Sequence, residues 1–401
     1  MPSAYTIHLA PSMGEIDPAQ WDVCANPYTP PSTEAAAESP FEIERFNPFI
    51  SYAFLKALED SKSVGGRSGW ISTHILVKDP EGRLAAAAPA YMKTHSMGEY
   101  VFDHGWADAY HRNGLSYYPK LQVAVPFTPV TGRRLLIAPS HGETARQALI
   151  VGLRSFREKM EASSIHITFP TRPEWEGLGQ NGFLQRTGQQ FHFINESYPD
   201  FEGFLAELAS RKRKVIRRER KEALADGISI ERLTGTDIKE LHWDIFFQFY
   251  QDTGAKKWGT PYLTRPFFSL AGEALRDHML LVMAKRNGRY IAGAINFIGK
   301  NALYGRHWGA IEDHPFLHFE VCYYQAIEFA IAQGLCRVEA GAQGEHKLAR
   351  GYRAVTTFSA HEIGDPRFAR AIDDYLQRER LHVDAALREY EDLVPFKKKS
   401  E

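Results

Sequence analysis

The stretch MLLVMAKRNGRYIAGAINFIGKNALYGRHW, from Met279 to Trp308, decides how this chain folds. It reads as three successive strands, Met279–Lys285, Tyr290–Gly299 and Ala302–Trp308. Each is rich in apolar, branched and aromatic side chains, and the turn sequence Arg286-Asn287-Gly288-Arg289 joins the first two. Strands this closely spaced pair as antiparallel neighbours. Downstream the apolar spacing changes to that of a helix over Leu317–Gln333. A strand at Cys336–Gly341, a short helix at Glu345–Arg350, a strand at Ala354–Ile363 and a helix from Pro366 to Leu387 follow. Upstream lie a strand at Ile228–Leu233 and helices at Asp237–Thr253 and Pro266–Arg276.

The first half of the chain has a similar order of elements. A strand at Tyr5–Leu9 and a helix at Pro18–Cys24 precede a proline-rich loop over residues 26–40. A helix at Ser51–Ser61, with Phe54, Leu55 and Leu58 on one face, comes next. Strands at Trp70–Lys78 and Arg83–Lys93 flank the turn Asp79-Pro80-Glu81-Gly82. Residues His95–Pro129 read as an aromatic, mostly irregular segment. A helix at Gly142–Ala162, a strand at Ser164–Phe169, a short helix at Arg172–Asn181 and a strand at Gln185–Asn195 complete the half. The pair Gly182-Phe183 has its counterpart in Gly351-Tyr352. Alternating strands and helices predict an α/β (α+β) protein of two similar domains, residues 1–200 and 228–401. A basic helix within Phe201–Ala225 joins them.

A chain of 401 residues with 44% hydrophobic side chains can build two sizeable cores. Its net charge of -1 excludes a general polyanion binder, so any phosphate affinity must be local. Three cysteines without a CxxC spacing exclude a disulfide framework and fit a reducing compartment. No basic-then-apolar leader and no run of about 18 apolar residues is present, so a cytoplasmic location is expected. His314 and His318 form an HxxxH spacing, but HExxH, Walker A and GxSxG are absent. No metal site is expected.

The local charge is concentrated in one place. Eight of the eleven residues from Arg211 to Lys221 are basic, while Phe201, Phe204, Leu205, Leu208, Val215 and Ile216 form an apolar stripe. One helix face packs and the other presents cations, among them Arg213, Arg217 and Arg218, to phosphates of a precursor or of tRNA. A solvated face is the plainer reading. After the strand Cys336–Gly341, the residues Gln343, Glu345, His346, Lys347 and Arg350 cluster at a short helix. Glu345 or His346 suits a proton acceptor, and Lys347 or Arg350 suits an acidic group of a substrate. Asp103, Trp106, Tyr118 and Lys120, and separately Trp258, suit recognition of a sugar or peptide.

The order strand–strand–strand–helix–strand–helix–strand with a late glycine–aromatic pair resembles the GNAT acetyltransferase fold. Two such domains with a basic helix between them resemble the FemAB-like acyltransferases, and among these the family associated with peptidoglycan biosynthesis or recognition. The residues that carry the resemblance are Asn47-Pro48-Phe49, His95 to Tyr100, Tyr118 to Leu121, Pro126 to Gly132 and Glu339 to Lys347, within residues 45–385. The resemblance implies tandem GNAT-like domains, with the segment after Gly341 at the mouth of a cleft. It implies an aromatic general acid at Tyr352 and oxyanion-stabilising backbone near Arg306, His307 and Trp308. The reaction it implies is acyl or aminoacyl transfer to an amine of a precursor or small metabolite. CoA-dependent GNAT enzymes carry a Q/RxxGxG/A loop that wraps the pyrophosphate. Here that region, Glu312 to Glu320, has no glycine and starts acidic. The donor is then aminoacyl-tRNA or acyl-CoA, undecided, with no tightly bound cofactor. The alternatives are a CoA-dependent acetyltransferase and a non-catalytic binder of peptidoglycan precursors or RNA.

Overall fold

A computed structural model describes residues 5–27, 46–256, 261–341 and 344–397. Most of the loop expected at 26–40 lies outside them. The chain opens with β1 (Thr6–Ala10), α1 (Pro18–Ala25) and α2 (Tyr52–Asp60). Asp17 caps α1 and Ser51 caps α2 by accepting from amides two or three residues into each helix. The face of α2 carrying Phe54, Leu55 and Leu58 is buried, as its spacing requires. The strands expected at 70–78 and 83–93 are four: β2 (Trp70–Ser72), β3 (His74–Lys78), β4 (Leu84–Ala88) and β5 (Ala90–Lys93). Pro89 has no N–H to give a ladder, and the chain changes sheets there. The aromatic segment contains α3 (His104–Arg112) and β6 (Lys120–Val123), more structure than its composition suggests. Then come β7 (Leu136–Ile137), α4 (Gly142–Lys159), β8 (Ser164–Thr168), α5 (Arg172–Gln180) and β9 (Leu184–Ile194).

The helix expected over Phe201–Ala225 is broken into α6 (Phe201–Glu207) and α7 (Ser210–Ala223). Leu208 between them is extended and pairs with Phe396, while the Ala209 amide donates to the Pro395 carbonyl at 2.9 Å. β10 (Ile228–Thr234), α8 (Glu240–Lys256) and α9 (Arg265–Ala274) lead to the meander. Its strands are β11 (Met279–Arg286), β12 (Arg289–Ile298) and β13 (Ala302–Ala310). α10 (Leu317–Phe319), a π-helical turn at Glu320–Tyr324 and α11 (Gln325–Ala332) follow, then β14 (Arg337–Glu339). A 3₁₀ turn at Glu345–Arg350, β15 (Tyr352–Ile363) and α12 (Pro366–Leu393) complete the described chain.

The chain forms two compact units, Met1–Gly188 with Thr357–Asp384, and Gln189–Thr356 with Ala385–Glu401. The boundaries expected at 200 and 227 both fall inside the second unit, so the basic helix α7 is part of its body. In the first unit β1, β3, β4 and β7 make one antiparallel sheet. A second sheet there runs β2-β5-β6-β8-β15, with β6 and β8 parallel. In the second unit β10, β11, β12 and β13 are antiparallel neighbours, β14 lies parallel to β13, and β9 pairs with β14. Each unit thus has antiparallel strands followed by a helix and a parallel strand, which makes them two GNAT-like domains in tandem.

Each unit has its own core. Ile75, Val77, Leu121, Leu149, Leu153 and Ile165 anchor the first; Phe193, Phe204, Leu280, Val282, Val321 and Ile327 anchor the second. Helix α8 lies so close to β13 that a Cβ on Gly309 would sit 2.1 Å from the Phe249 carbonyl oxygen. Only glycine permits that approach.

Candidate functional site

The second unit gathers its polar chemistry where the 3₁₀ turn meets β15. Gly351, at φ +87°, turns the chain from one into the other, and any side chain there would strike the Phe204 ring. This turn buries Lys347 and Arg350 and leaves Glu345 and His346 exposed. The Lys347 ammonium donates to the Gly341 carbonyl at 2.9 Å. Burial draws its pKa down to about 8, with the Arg306 charge adding to the effect against an opposing pull from Cys322. Arg306, on β13, therefore shares the electrostatic neighbourhood of Lys347. His346 Nε2 and the Tyr323 hydroxyl are hydrogen-bonded at 3.0 Å, and partial burial, Arg350 and Lys347 lower the histidine pKa. Glu345 accepts from the Tyr390 hydroxyl at 2.7 Å.

Tyr352 is fully buried, its ring against Tyr323 and Phe193. Its hydroxyl has no hydrogen-bond partner among the described residues. Burial, with Tyr323 and Cys322 adding to it, pushes its pKa well above the usual tyrosine value, so the phenol stays protonated. His307, half-buried on β13 with its ring against Tyr250, is held neutral, its pKa drawn to about 3 by burial and Arg306.

Arg350 is already matched. Both Glu219 oxygens accept from its Nη2 at 3.0 Å, its Nη1 donates to the His346 carbonyl, and it stacks over Phe319. Glu219 comes from α7, in the middle of the basic run, and also accepts from the Tyr324 hydroxyl. Sequence reading missed it, although it falls on the face shared by Ile216 and Ala223, the two other buried residues of the helix. Arg217 and Arg218 are exposed and pair with Glu202 and Glu222, while Arg213 is half-buried. Arg220 turns inward to Glu320 and Glu328 at 2.8 and 2.9 Å. Trp258 and Gln343 lie outside the described residues.

Asp103, Trp106, Tyr118 and Lys120 come together in the first unit, apart from these groups in the chain's division. The Lys120 ammonium binds Glu99 at 2.7 Å, Ser96 at 2.8 Å and Asp103. The Tyr117 hydroxyl donates to Asp103, Tyr118 bonds Ser96, and Trp106 packs on His166 and His361. Lys93, buried below, has its pKa drawn to about 7 by burial. Burial raises the Glu99 pKa to about 7 against the pull of Lys120. A raised carboxyl pKa stabilises the fold fully below the unfolded value, and that stability is lost as pH rises through about 7. Glu99→Gln is therefore expected to gain stability relative to the wild type between pH 5 and pH 8, read by thermal unfolding at each pH. A flat difference would remove Glu99 as the titrating group.

Among the described residues no helix is long and apolar enough to cross a membrane, and no group of three His, Cys, Asp or Glu could hold a metal ion. No curated protein matches this sequence. Among solved structures, FemX aligns with a TM-score of 0.53 at 12% identity, over 86% of this chain and 99% of FemX. L-PGS from Bacillus licheniformis aligns at 0.51 and 9%, over 87% and 97% of the two chains. A conserved protein of unknown function from Bacteroides thetaiotaomicron aligns at 0.51 and 12%, over 89% and 98%. These likenesses establish the tandem fold. The FemAB-like family model, described as peptidoglycan biosynthesis/recognition, matches residues 12–398, and the chain belongs to that family.

Proposed function

We propose that this chain is an N-acyltransferase that moves an acyl or aminoacyl group from an activated ester to an amine on a peptidoglycan precursor or small metabolite. The observation that carries the reading is the fully buried Tyr352 hydroxyl, unpartnered among the described residues, next to the segment that buries Lys347. Amide formation from an ester needs an acceptor for the amine proton and a donor for the departing alkoxide. Lys347, with a pKa near 8, and neutral His346 suit the first task; the protonated Tyr352 phenol suits the second. Arg306 on β13 acts on Lys347 by its charge, His307 packs on Tyr250 instead, and Glu345 stays at the surface.

An aminoacyl-tRNA donor is favoured over acyl-CoA. Arg217, Arg218, Arg211, Lys212, Lys214 and Lys221 are exposed along α7, a surface suited to a phosphate backbone. Between β13 and α10, by contrast, Glu312 is held ionised by His314 and Arg286, which repels a pyrophosphate. FemX and L-PGS share the fold, and the family description supplies the peptidoglycan context.

Tyr352→Phe is expected to lower transfer about 10²–10⁴-fold, the range of a lost general acid. Its stability should stay level or rise, because the hydroxyl it removes has no partner. Full transfer by the variant, measured with aminoacyl-tRNA and an amine acceptor, would remove Tyr352 from the chemistry. Neutralising Arg217 and Arg218 is expected to weaken tRNA binding and flatten its salt dependence. RNA affinity without any transfer would favour the binding-protein reading instead.

A further inference from the structure

We propose that His166 and His361 form an acid-sensitive clasp, which holds the returning segment Thr357–Asp384 on the first unit while both imidazoles are neutral and releases it when both are protonated. The two residues stand opposite each other on β8 and β15, and both are buried. Their Nδ1 atoms lie 2.7 Å apart, a hydrogen bond that needs one proton between them. One ring donates there and the other accepts. The neutral pair leaves neither outer nitrogen without a partner. His361 Nε2 meets the Ser359 hydroxyl at 2.9 Å, and His166 Nε2 meets the Ser164 hydroxyl at 2.7 Å and the Tyr117 hydroxyl at 3.2 Å. A doubly charged pair does not fit this geometry, because two N–H groups would then point at each other across the same 2.7 Å. The contact sits in the middle of the ladder, which runs from Ser359 opposite Thr168 to Ile363 opposite Ser164. Parting the imidazoles therefore parts the strands.

The surroundings oppose even the first charge. Trp106 packs on both imidazoles. Lys120 on β6 and Arg186 on β9 are the cations that act on the pair. Asp103 opposes them at His361, but it is already bound by Lys120 and Tyr117. Arg186 is bound by Glu379 of α12 through two 2.7 Å bonds. Burial first, and then these cations, hold both histidine pKa values well below the usual 6.5. A base whose pKa is lowered by folding contributes stability that is complete above the unfolded value, about 6.5, and is lost as pH falls below it. The raised Glu99 carboxyl has the opposite sign, so its titration does not mimic the clasp.

Hydrogen exchange of the whole protein tests this, read by mass spectrometry on peptides covering β8 and β15 at pH 8 and pH 5, with rates corrected for the intrinsic effect of pH. Asparagine places a neutral amide where each Nδ1 stood, so the comparisons are His166→Asn, His361→Asn and the double variant. Each released imidazole is protonated at pH 5 and favours opening about 30-fold. Relative to the double variant, the wild type should lose on the order of 10³-fold protection between pH 8 and pH 5, and each single variant about 30-fold. Strands β11, β12 and β13 of the second unit should show no such difference. If the double variant does not fold, the ratio of about 30 between the wild type and a single variant decides. A wild type that loses no more protection than the variants overturns the proposal, and so does an equal loss in β11 to β13.

Discussion

Glu219→Leu is expected to cost the second unit about 3–5 kcal/mol, the penalty for leaving one member of a buried ion pair alone. Glu219 takes two 3.0 Å bonds from Arg350 and one from Tyr324, and both carboxylate and guanidinium are buried. Without it a cation and a phenol are stranded among Phe319, Phe201 and Tyr323, where water cannot replace the lost acceptor. For a unit of this size the loss corresponds to a fall in Tm on the order of 10 °C. The double variant Glu219→Leu/Arg350→Met should recover much of that stability, because it removes both charges. Thermal unfolding of the single and double variants reads the result, and a loss below about 1 kcal/mol would mean that the pair is solvated. Transfer activity should fall in the single variant as well, since Arg350 pins the His346 carbonyl and hence the turn that carries Lys347.

Lys120→Met is expected to have an effect of the same order, about 3–5 kcal/mol, in the first unit. The ammonium bridges Glu99 and Asp103, both buried, and two carboxylates without their cation repel each other. Burial works against the Asp103 anion, and Lys120 with Ser96 and Tyr117 holds it ionised. Removing Lys120 raises both carboxyl pKa values, so the loss should be larger at pH 8 than at pH 5. Adding Glu99→Gln to Lys120→Met should restore part of the stability at pH 8. If the single variant unfolds at the same temperature at both pH values, the cluster does not carry buried charge.

The meander was legible because its turn and apolar runs are local: β11, β12 and β13 lie within a residue or two of the expected strands. The break at Leu208 was not, because its cause is distant. Residues 395–397 supply the backbone partners for 207–209, and no local pattern announces them. The split of 83–93 was half legible: Pro89 marks it, but not that its two halves join different sheets. At the site, the cluster from Glu345 to Tyr352 was readable since its members are neighbours in sequence. Tyr323 was not, since only the fold brings it to His346. Arg350 was read as a ligand for substrate, yet its partner was an acid hidden among eight cations.

The division of the first unit has a consequence during synthesis. Its sheet needs β15 against β8, and the residues that supply this strand begin at Thr357, long after Gly188 has left the ribosome. At roughly 5–20 residues per second, the interval is on the order of 10–30 s. Throughout it β8 offers an unpaired edge on a nascent chain, open to any strand that arrives first. The first unit can therefore close its sheet only after the residues between Gly188 and Thr357 have been made.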